Sequence, residues 1–225
     1  GESVMRHCVG VLVALCLALT GGAATAVERG TEGFGQVLIF PYATGNAAIN
    51  SLLTVSVAAP RESGPVELVV ARVVVHLVDP WEGGRETSHA YTVFIDSHDT
   101  WTMALHGSMS VQLSTTDRSC ALDSQGKPVF GTLRLLSQEL ADGWIEVYEL
   151  GSVTDPDILA HSFRDCDGMA ARIAGRAAAD WLDPPANRLR GSLHLVHHWR
   201  GTAHTVAPTT LPSPSDCTSS STPSM

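Results

Sequence analysis

The sequence predicts a mainly β protein: an immunoglobulin-like antiparallel β-sandwich with one inserted helix near residues 167–182. Three observations lead there. About seven short apolar segments alternate with a period of two. Turn signals recur roughly every ten residues. The interleaved helical patterns that a parallel β-α-β sheet needs are absent before residue 131.

The clearest element is Pro65–Asp79, PVELVVARVVVHLVD. Its odd positions, Val69, Ala71, Val73, Val75 and Leu77, are all apolar. Its even positions begin apolar with Val66, Leu68 and Val70, then admit Arg72 and His76. A valine-dense run is a poor helix former and a good strand. This predicts a central strand, buried on both faces over Val66–Val70 and on one over Arg72–Val78. Thirteen extended residues would span about 43 Å, against about five or six residues for an ordinary strand, so a bulge near Ala71 is expected.

The other elements follow in chain order. Val27–Gly35 is a polar, Gly-rich lead-in. Gln36–Tyr42 (QVLIFPY) is a short strand in which Pro41 cannot donate to a ladder, which suits a sheet edge. Ala43–Asn50 is a turn. Ser51–Ala58 sets Leu53, Val55 and Val57 against Thr54 and Ser56. Pro60–Pro65 turns into the central strand. Trp81–Ser88 is an exposed loop. His89–Ile95 is a strand with Tyr91, Val93 and Ile95 on one face, and Asp96–Asp99 a turn. Thr100–Leu105 and Ser110–Ser114 are strands. Thr115–Phe130 reads as a surface loop, and Gly131–Leu140 as a short helix or an irregular strand. Gly143–Leu150 places Ile145 and Val147 opposite Trp144, Glu146 and Tyr148, and Gly151–Asp157 is a turn around Asp155-Pro156. Asp167–Leu182 is the one helix. It is capped by Asp165 or Asp167, and Met169, Ile173, Ala177 and Trp181 form a stripe. Asp183-Pro184-Pro185 stops it, and Gly191–His198 with Trp199–Val206 makes the last strand or hairpin. Ala207–Met225 has no core-forming pattern and reads as a disordered Ser/Pro/Thr-rich tail. The β-sandwich domain is therefore expected over 27–206.

Residues 1–26 read as an export signal. Arg6 and His7 form a positive start, Val9–Leu19 an apolar stretch too short to span a bilayer, and Ala24-Thr25-Ala26 a small-x-small cleavage site. A lipoprotein anchor at Cys16 is disfavoured, because the bulky Leu15 precedes it. After cleavage no membrane span is expected. The 225 residues are 44% hydrophobic and 16% charged, with a formal net charge of -9, and Lys127 is the only lysine. An acidic chain without a basic cluster is a poor partner for nucleic acid.

Export frames the cysteines. Cys120 and Cys166 both lie within the folded region and are natural disulfide partners in an oxidising compartment, with unpaired thiols as the alternative. Cys217 is left over in the tail. No Cys-x-x-Cys pair points to zinc. Asp165-Cys166-Asp167-Gly168 begins like a calcium loop but lacks the later ligands, so a helix cap is the simpler reading. The metal candidates are His194, His197 and His198. On a strand His194 and His198 share a face about 13 Å apart and His197 faces the other way, so none can share an ion without help from elsewhere. No nucleophile elbow, zinc-protease helix or phosphate loop is present. Trp101, Trp144 and Trp181 sit in regular elements as core candidates. Trp81, in its Gly-rich loop, and Trp101 are the residues to consider for ligand binding.

Several stretches together are similar to an uncharacterised family of exported bacterial β-rich proteins. They are GFGQVLIFPYAT (Gly33–Thr44), SLLTVSV (Ser51–Val57), His89–Leu105, the segment Asp117–Cys120, and GWIEVYELGSVTDP (Gly143–Pro156) followed by Cys166. Ala43 departs from the family's usual Tyr at that place. The resemblance implies an envelope or extracellular location and supports the disulfide; it implies no reaction, and no cofactor is expected.

The expected function is thus a non-enzymatic structural or binding module of the bacterial envelope or surface, with a protein or envelope partner. Strand addition at Gln36–Tyr42 is the expected mode of binding. The alternatives are a secreted metal-dependent hydrolase using histidines near 194–204, and a carbohydrate-binding module.

Overall fold

The computed structural model describes residues 34–58, 67–80, 83–97, 99–107, 110–136, 140–160 and 165–211. The export signal, Trp81 and Cys217 lie outside the described residues. The strands are β1 (Val37–Gly45), β2 (Ile49–Val57), β3 (Leu68–Asp79), β4 (Arg85–Asp96), β5 (Thr100–Gly107), β6 (Val111–Thr115), β7 (Ala121–Leu122), β8 (Gly131–Leu136), β9 (Ala141–Val153), β10 (Leu182–Asp183), β11 (Leu189–His197), β12 (Thr202–Val206) and β13 (Thr209–Leu211). They form two antiparallel sheets packed face to face, the β-sandwich that the alternation predicts. The first sheet runs β13-β1-β9-β3-β4-β7, with β10 also on β9. The second runs β12-β11-β2-β5-β6-β8. Among the described residues no helix is long and apolar enough to cross a membrane.

β3 is central, as its composition requires, flanked by β9 and β4. It stays one strand for all of its 12 residues. Its odd-numbered side chains are buried between the sheets. Leu68 and Val70, on the other face, are buried too, whereas Arg72 is exposed. The ladder to β9 shifts between Val70 and Ala71, the expected position. Val70 faces Gly151 and Ala71 faces Glu149, so the extra residue is Leu150 and belongs to β9.

Two cores result. The main one fills the space between the sheets with Leu38, Phe40, Leu53, Val55, Val73, Val75, Trp101, Met103, Ile145, Val147 and their neighbours. A second, smaller core lies on the outer face of the first sheet. There Leu68, Val70 and Phe94 pack against Ile158, Met169 and Trp181. That cover consists of α1 (Pro156–Leu159), α2 (Cys166–Ile173) and Trp181 from the turn beyond them. Asp155 caps α1 by accepting from the Asp157 N–H at 2.9 Å, and Asp165 caps α2 by accepting from the Gly168 N–H at 2.8 Å. The sulfurs of Cys120 and Cys166 lie at disulfide distance, with Cα atoms 5.3 Å apart, and tie α2 to the strand beside β4.

Four expectations need correction. The helix expected over 167–182 ends at Ile173; Gly175 follows with φ 73°, and Ala178–Asp180 is only a 3-10 turn. The surface loop expected over Thr115–Phe130 contains β7, while the segment after it takes the strand alternative over Gly131–Leu136. The tail is ordered through Leu211, because Thr209–Leu211 pairs with Val37–Ile39. For the same reason β1 lies between β13 and β9 rather than at an edge. Just before β1, a Gly35–Leu189 bridge joins the lead-in to β11 of the other sheet and closes that side of the sandwich.

Candidate functional site

Among the described residues the opposite side of the sandwich is open, and local sequence makes it so. The turn at Gly83-Gly84, where the Gly84 N–H donates to the Asp79 carbonyl at 3.0 Å, sets β4 against β3 in an unbroken register from Asp79–Arg85 to Leu68–Asp96. On its far side β4 meets β7 at Thr92 and Val93 only. β7 cannot run further, because the chain reverses after Leu122. The Asp123 carboxylate accepts from the N–H groups of Gln125 (2.8 Å) and Lys127 (2.9 Å), and Pro128 closes the reversal opposite Leu122. On that far side Arg85–Tyr91 therefore has no strand beside it among the described residues. In the facing sheet β8 is likewise the last strand.

Between these two edges lies a cleft of about 440 Å³. Its inner wall is His89 and Tyr91 from β4 with Leu133 and Leu135 from β8. Its outer rim is Ser88, Ala90 and Arg72, and the Asp123-Ser124 turn closes one end. The alternation of β4 explains the division: Thr87, His89 and Tyr91 point into the sandwich, and Ser88 and Ala90 away from it.

The polar groups of the inner wall are desolvated. Burial pushes the His89 pKa below its ordinary value, so the imidazole is neutral at neutral pH. Its Nε2 is buried without a hydrogen-bond partner, as is the Thr87 hydroxyl two residues away. Tyr91 is 5% exposed, and burial together with the Asp123 carboxylate pushes its phenol up to about 12, so it remains a hydrogen-bond donor. Buried polar atoms without partners are uncommon in folded proteins, and their presence beside a cleft marks a place where a ligand can satisfy them. The Arg72 side chain has no hydrogen bond or ion pair among the described residues, so the rim carries an uncommitted cation. The Asp123 carboxylate is held by its own turn. Among the described residues no hydrogen bond joins His89 to a neighbouring hydroxyl. The set comprises a cation, a phenol, a neutral imidazole and two leucines.

A second polar cluster occupies the outer face of the first sheet and is satisfied internally. His76 stacks on Trp144 with ring centroids 4.5 Å apart. Its ring nitrogens face Glu86 at 3.0 Å and Glu146 at 3.3 Å, and the Tyr148 hydroxyl donates to Glu146 at 2.5 Å. That bond holds the Glu146 carboxyl below its usual range and pushes the Tyr148 phenol up to about 12.

The residues singled out from sequence go elsewhere. Trp101 is 1% exposed inside the main core, so no ligand can stack on it. His194 is occupied by Ser192 (3.2 Å) and Thr205 (3.1 Å), and the His197 Nδ1 accepts from the Arg200 N–H at 3.3 Å. His198 sits in the turn after β11, its N–H donating to the Ala48 carbonyl. Among the described residues no three His, Cys, Asp or Glu side chains converge on a metal position. Trp199, 82% exposed at the β11–β12 turn, and the cleft residues were not singled out. A signal for the cleft existed: His89 continues the apolar face Tyr91-Val93-Ile95, which places an imidazole on the inward side of a strand. No protein-family model matches the chain, and comparisons with curated proteins and with solved structures return no match.

Proposed function

We propose that this chain is a non-enzymatic binding module, exported to the bacterial envelope or surface, that holds its ligand in the cleft between β4 and β8. The observation that carries this reading is the pairing of a strand edge uncovered among the described residues with the desolvated, unpartnered His89 Nε2, which lines a cavity of about 440 Å³. That volume falls in the range of ordinary ligand pockets, roughly 300–1,000 Å³. The export part rests on the signal-like residues 1–26 and on the cysteine pair.

A carbohydrate-binding reading has one observation behind it, the exposed Trp199. One experiment separates the two. Backbone NMR shifts are mapped while small carboxylates, amides and monosaccharides are titrated into the full chain. Shifts clustering on Ser88–Tyr91, Asp123 and Leu133, and lost in a Ser88→Trp variant that plugs the rim, support the cleft. Shifts clustering around Trp199, or none with these probes or with extended peptides, refute it.

A further inference from the structure

We infer that the occupant of this cleft is an extended peptide strand of a partner protein. It adds to the open edge of β4 and brings an acidic side chain to Arg72. The inference rests on the cleft being the binding site, and three independent features narrow the ligand to this class.

The first is the backbone. The Phe94 N–H donates across to the Cys120 carbonyl on the β7 side. The β3–β4 register has no irregularity, and alternate residues of an antiparallel strand direct their N–H and C=O groups to opposite edges. Glu86, Ser88 and Ala90 share the parity of Phe94. Their backbone groups therefore point to the uncovered side, and no described backbone group pairs with them there. This is a row of donors and acceptors spaced for one more strand.

The second is the shape of the cleft. It is lined by residues from both faces of β4, with His89 and Tyr91 on one side and Ser88, Ala90 and Arg72 on the other. A pocket confined to one face of a sheet would take a ligand lying on that face. A cleft that wraps the edge has the footprint of a strand lying about 4.8 Å beyond β4. Such a strand would send alternate side chains inward against Leu133 and Leu135, within reach of the His89 and Tyr91 polar atoms, and the others outward.

The third is charge. Arg72 lies one strand further in, on β3, opposite Thr92 of β4. The small side chains of Ser88 and Ala90 leave its guanidinium room to lean towards the edge, and it has no ion pair among the described residues. The nearby Asp123 carboxylate is engaged by the N–H groups of its own turn. An outward-facing Glu or Asp on the added strand would complete the rim.

The test uses acetylated, amidated heptapeptides with Val at odd positions, Thr at even positions, and Glu, Gln or Lys at position four. Each is titrated into the full chain, with amide hydrogen exchange read residue by residue. The Glu peptide is expected to slow exchange at Ser88 and Ala90 at least tenfold while leaving Trp199 unchanged. N-methylation of two of its edge-facing amides should weaken it by about 100-fold. The Lys peptide should bind about tenfold more weakly than the Glu peptide, and an Arg72→Gln variant should remove that preference. Binding indifferent to N-methylation overturns strand addition while leaving the cleft reading in place. So does the absence of peptide binding alongside small-molecule shifts in the cleft. No cleft shifts with either class of probe overturns both. Concentration-dependent protection of Ser88 and Ala90 without any peptide overturns the partner strand in favour of a second copy of this chain.

Discussion

Removing the Cys120–Cys166 bridge tests how the second core is held. The bridge spans a sequence separation of 46. In the chain-entropy model, closing a loop of that length removes about 13.5 cal/mol/K from the unfolded chain, or about 4 kcal/mol at 25 °C. Cys120 is 3% exposed, so Cys120→Ala avoids burying a hydroxyl, and the more accessible Cys166 can become Ser. For a domain of this size each kcal/mol shifts Tm by about 2–4 °C, so the double variant should melt about 8–16 °C lower. The damage should also be local. The bridge ties α2 to the strand beside Phe94, and Trp181 lies against Phe94 with ring centroids 6.3 Å apart. The near-UV signal of Trp181 should therefore weaken, while far-UV strand content persists because the main core is untouched. Urea titration followed by tryptophan fluorescence gives the energy, and near-UV circular dichroism gives the location. A loss under about 1 kcal/mol, or loss of strand signal together with the aromatic signal, would refute this division into two cores.

Other outcomes follow from the same geometry. The Glu149 side chain is wholly buried and accepts from the N–H groups of Ala186 (2.8 Å) and Arg188 (2.7 Å), so Glu149→Ala should cost about 3–5 kcal/mol in urea denaturation. A cost below about 1 kcal/mol would contradict it. Gly143 sits where an added Cβ would lie 1.8 Å from the His76 carbonyl oxygen of β3, so Gly143→Ala should force the two strands apart and destabilise by about 3 kcal/mol or more; unchanged stability would mean the strands are not so close. His89 resists protonation in the folded state, whereas the unfolded chain takes up that proton below about pH 6.5. Stability should thus be indifferent to His89 above about pH 6.5 and decline as the pH falls, levelling off below the folded-state pKa. A His89→Gln variant should lack that component of the decline, and identical pH profiles for the two proteins would argue against a buried neutral imidazole.

What was legible from sequence followed local periodicity. The clean odd face of β3, and the apolar start of its even face, announced both cores before either could be located. The position of the β-bulge was legible too, but not which strand carried it, because that depends on the partner. Sequence alone overextends the helix because alanines at 170–179 suit a helix wherever they occur, whereas Gly175 stops it and Trp181 reaches the second core from the turn beyond. The edge is illegible for a different reason. Gln36–Tyr42 has the Pro41 of an edge strand, yet its neighbour β13 comes from the far end of the chain, and Thr209–Leu211 has too few residues to advertise a strand. Which strand lies last in a sheet is a long-range fact. Only the inward-facing His89 marked the true open side in advance.

The central claim is that β4 presents an uncovered edge beside the cleft, and residue-resolved amide exchange in the ligand-free protein tests it most directly. Ser88 and Ala90 should exchange close to the rate of an unstructured chain. Phe94, bonded to the Cys120 carbonyl, and His89 and Tyr91, whose N–H groups face β3, should be protected by several orders of magnitude. Equal protection along the whole of β4, independent of protein concentration, would mean that the edge is already covered within the chain and would contradict the account.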